Sequence, residues 1–129
     1  MAEPLLSADS EIDAYFRFRP QFLALLDQSL YPAEWFDAQI WTGNFRLFHT
    51  QDSAILVSID RYPSGVLEAH GQAAVGKLAE ITGSLIPYAE AWARSLGCKS
   101  AKIESREGWM REMRKDGYQV HQTTLRKAL

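Results

Sequence analysis

Apolar positions divide the chain by their period. In "SEIDAYFRFRPQFLALLDQSL", Ile12, Phe16, Phe22, Leu25, Leu26 and Leu30 recur at roughly helical spacing. Pro20 lacks an amide hydrogen, which predicts a break into two short helices. "YPAEWFDAQIWTGN" predicts a third, with Pro32 in its first turn and Gly43-Asn44 ending it. Residues 1–44 thus read as a helical cap on residues 45–129 within a single domain. Next come three extended runs, "FRLFHT", "AILVSIDRY" and "VLEAHGQAAV", joined by the short turn formers "QDS" and "PSG". Those spacers predict an antiparallel meander. Alternation along the third run predicts Glu68, His70 and Gln72 on one face and Leu67, Ala69 and Ala73 on the other.

Beyond the meander the period returns to helical. Pro87 is tolerated in a first turn, which predicts a long helix beginning near Gly83-Ser84 with Ser84 as N-cap. Leu85, Ala89, Trp92, Ala93 and Leu96 form its apolar stripe, and Gly97 ends it. "SAKIES" predicts a strand, "REGWMREMRKD" a helix burying Trp109, Met110 and Met113 up to Gly117, and "YQVHQTTLRKAL" a last strand.

Composition narrows the class. At 129 residues, 47% hydrophobic and 23% charged, the chain suits one ordinary globular domain with a real core. One cysteine, Cys98, forms no internal disulfide; with no apolar run of membrane length and no basic-then-apolar start, a cytoplasmic protein is expected, without membrane contact. Net charge is −2, but residues 1–90 carry 5 Lys+Arg against 12 Asp+Glu, net −7, and residues 91–129 carry 9 against 4, net +5. An anion would go to the basic end, although its acidic residues are interleaved enough for a mixed solvated surface. Overall acidity and the lack of a basic stripe beside aromatic residues argue against nucleic acid.

Free backbone amides at a helix start near Thr82 to Leu85 would bind an anion, since they lack helical acceptors and the helix dipole favours negative charge. From about Val66 to Tyr118 the element order, the stretch "GSLIPYAEAWARSLGCKSAKI" and the ending "MRKDGYQV" resemble the GNAT superfamily of acyl-CoA-dependent N-acyltransferases. "SREGWMREMRKDGYQ" with the terminal "RKAL" is similar, more narrowly, to small GNAT-like proteins of phages and prophages. The resemblance implies an α/β fold whose mostly antiparallel central sheet holds one parallel strand pair, "VLEAHGQAAV" with "SAKIES", and has helices on both faces. It implies acetyl-CoA as donor, an amine as acceptor, and a pyrophosphate cradle near Ile81, Thr82, Gly83 and Ser84 with Lys77, Arg106 and Trp109 nearby. A homodimer is compatible with it.

The chain departs from the family pattern in two places. The cradle's Gln or Arg, Gly, and Gly or Ala fall on Leu78, Ile81 and Gly83, matching only the last, while "QAAVGK" sets its Gln and Gly one residue too far apart. The tyrosine that protonates the leaving thiolate in many members falls on Met113, which has no proton to donate. Glu68 and His70 remain as candidate bases, or as a solvated cross-strand pair. Arg106, Arg111 and Arg114 around Trp109 form either a surface for phosphate or adenine, or a core tryptophan with solvated arginines. Cys98 reads as a small buried hydrophobe sooner than a nucleophile. His49, His70 and His121 lack metal-ligand spacing, and no Gly-x-Ser-x-Gly elbow is present. Two readings stand: an N-acetyltransferase, or a GNAT-like module that binds or assembles without turnover.

Overall fold

The computed structural model describes residues 10–104 and 107–129, without the side chains of residues 107, 108 and 110. Helices α1 (Glu11–Leu25) and α2 (Ala33–Trp41) precede β1 (Arg46–His49), β2 (Ala54–Arg61) and β3 (Leu67–Val75). A helical run follows, consisting of α3 (Leu78–Glu80), a π-helical turn (Ile81–Leu85) and α4 (Ile86–Ser95), then β4 (Ser100–Ile103) and α5 (Glu107–Arg114). The four strands lie in chain order in one sheet. β1–β2 and β2–β3 pair antiparallel, and β3–β4 pair parallel.

Each face of the sheet carries its own core. On one, Tyr15, Phe18 and Phe22 of α1 and Phe36 and Ile40 of α2 pack on Leu47, Leu56 and Val75. On the other, Ile81, Leu85, Ala89 and Ala93 pack on Ile55, Val57 and Ala69, with Trp109 alongside. Asp37 joins the two N-terminal helices: it accepts from the Tyr15 hydroxyl at 2.6 Å and takes the Arg19 guanidinium in a fork at 2.8 and 2.9 Å.

Four sequence expectations need correction. Pro20 does not divide α1, although an interior proline costs about 3 kcal/mol. It is exposed, while Phe18 and Phe22 on either side are buried one turn apart, and their packing requires a continuous helix. The second helical run begins at Leu78, so Ser84 is not its N-cap. Pro87 is accommodated by the π turn: Ile86 donates five residues back to the Ile81 carbonyl, and Pro87, needing no donor, follows as the second residue of α4. Leu96 caps α4 beyond the sheet and is exposed rather than part of the stripe. Residues 118–129 form no strand: past the half-buried Tyr118 no strand of the sheet pairs with them, and even Val120, Leu125 and Leu129 stay exposed.

Candidate active site

Where β3 leaves β4, the sheet opens. The pairing runs only from Glu68 with Ser100 to Gly71 with Ile103, while β3 continues to Val75. A β-bulge sits at the same place: Gly71 faces Val57 and Ala73 faces Leu56 across β2, leaving Gln72 as the extra residue. A bulge bends and twists its strand. It also turns Ala73 to the α1/α2 face, opposite to Ala69, correcting the simple alternation expected for this strand. Among the described residues no strand lies against the β4 side of β3 beyond Gly71. Backbone groups on that edge therefore have no ladder partner and are available to a ligand.

The gap is a slot of about 330 Å³, walled by Ala69, Gly71, Ala74, Ala89 and Ala101 and bounded by Trp109. Small side chains keep it open. At Gly71 even a Cβ would come within 3.3 Å of Ile103 Cγ1. Glu90 and Tyr118 also line the slot, and the Tyr118 hydroxyl donates to Glu90 at 2.6 Å. Burial, then the Glu90 hydrogen bond, raises the Tyr118 phenol far above its ordinary value, so it keeps its proton at neutral pH.

A second cavity, about 420 Å³, has walls formed by Tyr31, Trp35 and Phe45 together with Ser58, Asp60 and Gln72. Tyr31 and Trp35 are exposed rings 5.1 Å apart between centroids. Leu26 and Gln72 line both cavities, so the two adjoin at the bulge.

Register places a polar ladder beside this junction: Ser58 opposite His70 opposite Lys102, and Asp60 opposite Glu68 opposite Ser100. His70 Nδ1 lies 3.3 Å from Asp60 Oδ2 and Nε2 lies 3.3 Å from Glu104 Oε1. The imidazole therefore spans a carboxylate of the aromatic cavity and a carboxylate of the slot. Gln72 Nε2 bonds Ser58 Oγ at 2.9 Å and His70 Nδ1 at 3.3 Å. Burial pushes the Asp60 carboxyl up, but Lys102 at 2.8 Å together with His70 outweighs it and holds the carboxyl below its ordinary range. Glu68 accepts from the Tyr62 hydroxyl at 2.5 Å and the Ser100 hydroxyl at 2.7 Å. The Tyr62 bond, against burial and with help from Ser100 and Lys102, lowers the Glu68 carboxyl.

The helix start differs from expectation. Ile81, Thr82, Gly83 and Ser84 lie within the π turn, with Ile81 buried, and not at a run of free amides. The helix begins at Leu78, directly after Gly76-Lys77, and that place is occupied by the protein itself. The Lys77 amide donates to Ser53 Oγ at 2.9 Å, while Ser53 Oγ and Thr50 Oγ1 donate to Glu80 Oε1 at 2.5 and 3.1 Å. Lys77 Nζ pairs with Asp52 at 2.9 Å. Tested against acetyl-CoA, the slot suits a narrow acyl-bearing arm, while the helix start combines the Leu78 and Ala79 amides, which lack helical acceptors, with the Glu80 and Asp52 carboxylates, which disfavour a pyrophosphate. Of the other expected residues, Trp109 is half-buried in the core beside the slot, and Arg106 lies outside the described residues. Met113 is buried, and Cys98 is half-buried with its thiol pushed up by burial. The Met110 side chain lies outside the described set.

Sequence reasoning missed the Tyr118–Glu90 pair, the bulge and the aromatic cavity. A glycine inside an alternating strand, Gly71, was the one available sign of the bulge. Tyr118 could have been weighed from its place directly after the helix-ending Gly117.

No protein-family model matches the chain, and no curated protein matches its sequence. Solved structures do match. A Trypanosoma brucei acetyltransferase is 15% identical with TM-score 0.64, over 93% of this chain and 94% of that one. Glucosamine-6-phosphate N-acetyltransferase from Arabidopsis thaliana is 12% identical with TM-score 0.67, over 93% and 95%. A predicted acetyltransferase from Clostridium acetobutylicum, solved with acetyl-CoA, is 11% identical with TM-score 0.63, over 92% and 90%. At such identities the likeness is one of fold, and over nearly its whole length this chain has the fold of these acetyltransferases.

Proposed function

We propose that the protein transfers an acetyl group from a thioester such as acetyl-CoA to the amine of an acceptor entering through the aromatic cavity. The observation that carries this reading is the junction at Gln72 of two cavities on β3: an apolar slot with an unpaired strand edge, and an aromatic cavity with a carboxylate. The thioester supplies an acyl carbon already activated by a thiol leaving group. The chain supplies placement, the largest contribution available to a site with no nucleophile of its own at the junction. The Tyr31 and Trp35 rings favour a cationic amine on an apolar body, beside Asp60, whose carboxylate already pairs with Lys102.

His70 is the base this geometry favours. It stands one residue before the point of divergence and faces Asp60 on one nitrogen and Glu104 on the other. A proton taken from the ammonium on the Asp60 side leaves from the Glu104 side, towards the slot where a thiolate forms. Glu68, three residues from the divergence and tied to two hydroxyls, is left as an anchor of the ladder. Tyr118 serves as a hydrogen-bond donor fixed in the slot.

Titration with acetyl-CoA tests the reading, because ligand held only by the folded state raises the melting temperature. The wild-type protein is expected to shift, and Gly71→Val, which fills the slot beside Ile103, is expected not to. No shift for the wild type at millimolar acetyl-CoA overturns the proposal in favour of a non-catalytic module.

A further inference from the structure

We infer that Lys102 is itself an acetyl acceptor: where no outside amine fills the aromatic cavity, the protein transfers the acetyl group to Lys102 Nζ of its own chain. The inference rests on the acyl-transfer reading above and adds a modification site to it.

The placement of one side chain carries it. Lys102 belongs to β4 and lines the slot, yet its Nζ lies 2.8 Å from Oδ2 of Asp60, a carboxylate of the aromatic cavity. The side chain therefore runs from the proposed donor side to the proposed acceptor side, and it ends with an amine on the carboxylate beside which an acceptor amine is expected. His70, opposite Lys102 in the register, reaches the same oxygen with Nδ1 at 3.3 Å. Amine and imidazole thus meet on one atom, Asp60 Oδ2. Glu68 Oε1 at 3.8 Å and the centre of the Tyr62 ring at 5.9 Å also face Nζ. The Lys102 side chain is 28% exposed, which leaves its flexible stem room to turn Nζ from Asp60 to the slot that it borders.

Lys102 and an outside acceptor face the same requirement. Each is an ammonium beside Asp60, and an ammonium is no nucleophile until a base takes a proton from it. In the step, Lys102 Nζ attacks the thioester carbonyl, the C–N bond forms, and the C–S bond breaks with its electron pair leaving on sulfur. Of the two protons the nitrogen gives up, one reaches the thiolate by way of Asp60 Oδ2 and His70, and the other goes to water. An acetylated Nζ carries no charge, so Asp60 loses its internal cation and becomes open to an ammonium from outside. The modification turns an occupied acceptor position into a vacant one.

Unassisted acetylation runs against Lys102. The Asp60 hydrogen bond raises its ammonium above the ordinary value, and its side chain is less exposed than that of Lys115, at 64%. Selective labelling of Lys102 among the five lysines of the chain is therefore a mark of the folded site.

The test incubates the protein with acetyl-CoA alone and maps acetylated peptides by mass spectrometry. One acetyl group at Lys102 is expected, at a rate independent of protein concentration, and none at that position in Lys102→Arg. His70→Ala is expected to slow Lys102 labelling about 100-fold and to leave the slow labelling of Lys115 unchanged. Labelling spread over the lysines in order of their exposure, or equal at Lys102 with and without His70, overturns the inference. An unmodified Lys102 in a protein whose melting temperature acetyl-CoA raises overturns it too and leaves the acyl-transfer reading intact; no shift and no labelling overturn both. A second measurement needs no thioester. Calorimetry with 2-phenylethylamine, a cationic amine on an aromatic body, is expected to show binding about fivefold tighter to Lys102→Gln, and to acetylated wild-type protein freed of acetyl-CoA, than to the unmodified wild type. Affinity that is unchanged or weaker in both overturns the placement of Nζ at the acceptor position.

Discussion

The two ends of β3 differ in how much of their bonding capacity the fold consumes. From Leu67 to Gly71 the strand is paired to β2, and from Glu68 it is also paired to β4, with its outward side chains in a closed polar ladder. Gln72 is the unpaired bulge residue, from Ala73 to Val75 the strand is paired to β2 only, and cavities adjoin this half on both faces of the sheet. One bulged residue separates a structural half from a half with chemistry to offer. On the acyl-transfer reading, backbone groups left without a ladder partner among the described residues, beside a largely apolar slot, point to the site sooner than the titratable side chains of the paired end, most of which satisfy one another.

The comparison breaks first at Gly76, which anchors the far end of β3. Its φ is +110°, and a Cβ there would overlap backbone of the β1–β2 turn. Strain and overpacking together predict that Gly76→Ala costs about 3 kcal/mol. Urea unfolding should show a lowered midpoint with an unchanged slope. The slot walls do not include Gly76, so folded Gly76→Ala protein should still bind an acetyl thioester.

A smaller effect separates the two candidate bases. Glu68→Gln should lower stability at neutral pH by about 1 kcal/mol, through loss of charge-assisted bonds from Tyr62 and Ser100, and leave any acetylation rate within about twofold. His70→Ala should remove most of the rate. The pH dependence gives an independent check. The Glu68 carboxyl is lowered in the folded state, so its contribution is fully present above the ordinary carboxylate value of 4.5 and is lost as pH falls below it. Glu68→Gln should flatten that part of the wild-type stability profile. A rate that falls with Glu68→Gln and survives His70→Ala would move the chemistry to the paired end of β3.

The paired half was legible in sequence and the open half was not. Alternation from Leu67 to His70 and the stripe through Leu85, Ala89 and Ala93 record burial, which sequence periodicity reports directly. The three-stranded meander and the following helix and strand were found for that reason. Pro20 and Pro87 misled because local propensity yields to packing in the first case and to a π turn in the second. Gln72 leaves no mark in the apolar pattern, since a bulge is a property of two strands together. The helix start depends on Thr50 and Ser53, hydroxyls 30 and 27 residues before the Glu80 they hold, and a linear pattern carries no sign of that contact.

The smallest expected effect concerns Lys77. A cationic residue just before a helix invites the view that it steadies a diphosphate, which would make charge reversal there costly to acetyl-CoA binding. In the structure its ammonium is already paired with Asp52 across an exposed contact, both side chains being more than half exposed. Exposed pairs of this kind contribute little to stability. Lys77→Glu should therefore leave the melting temperature nearly unchanged. It should also leave the acetyl-CoA-induced shift intact, because the proposed function holds the donor several residues earlier along β3. A shift that disappears in Lys77→Glu while the protein remains folded would place the nucleotide at the helix start, and the contrast between the two ends of β3 would then have to include a phosphate site at its close.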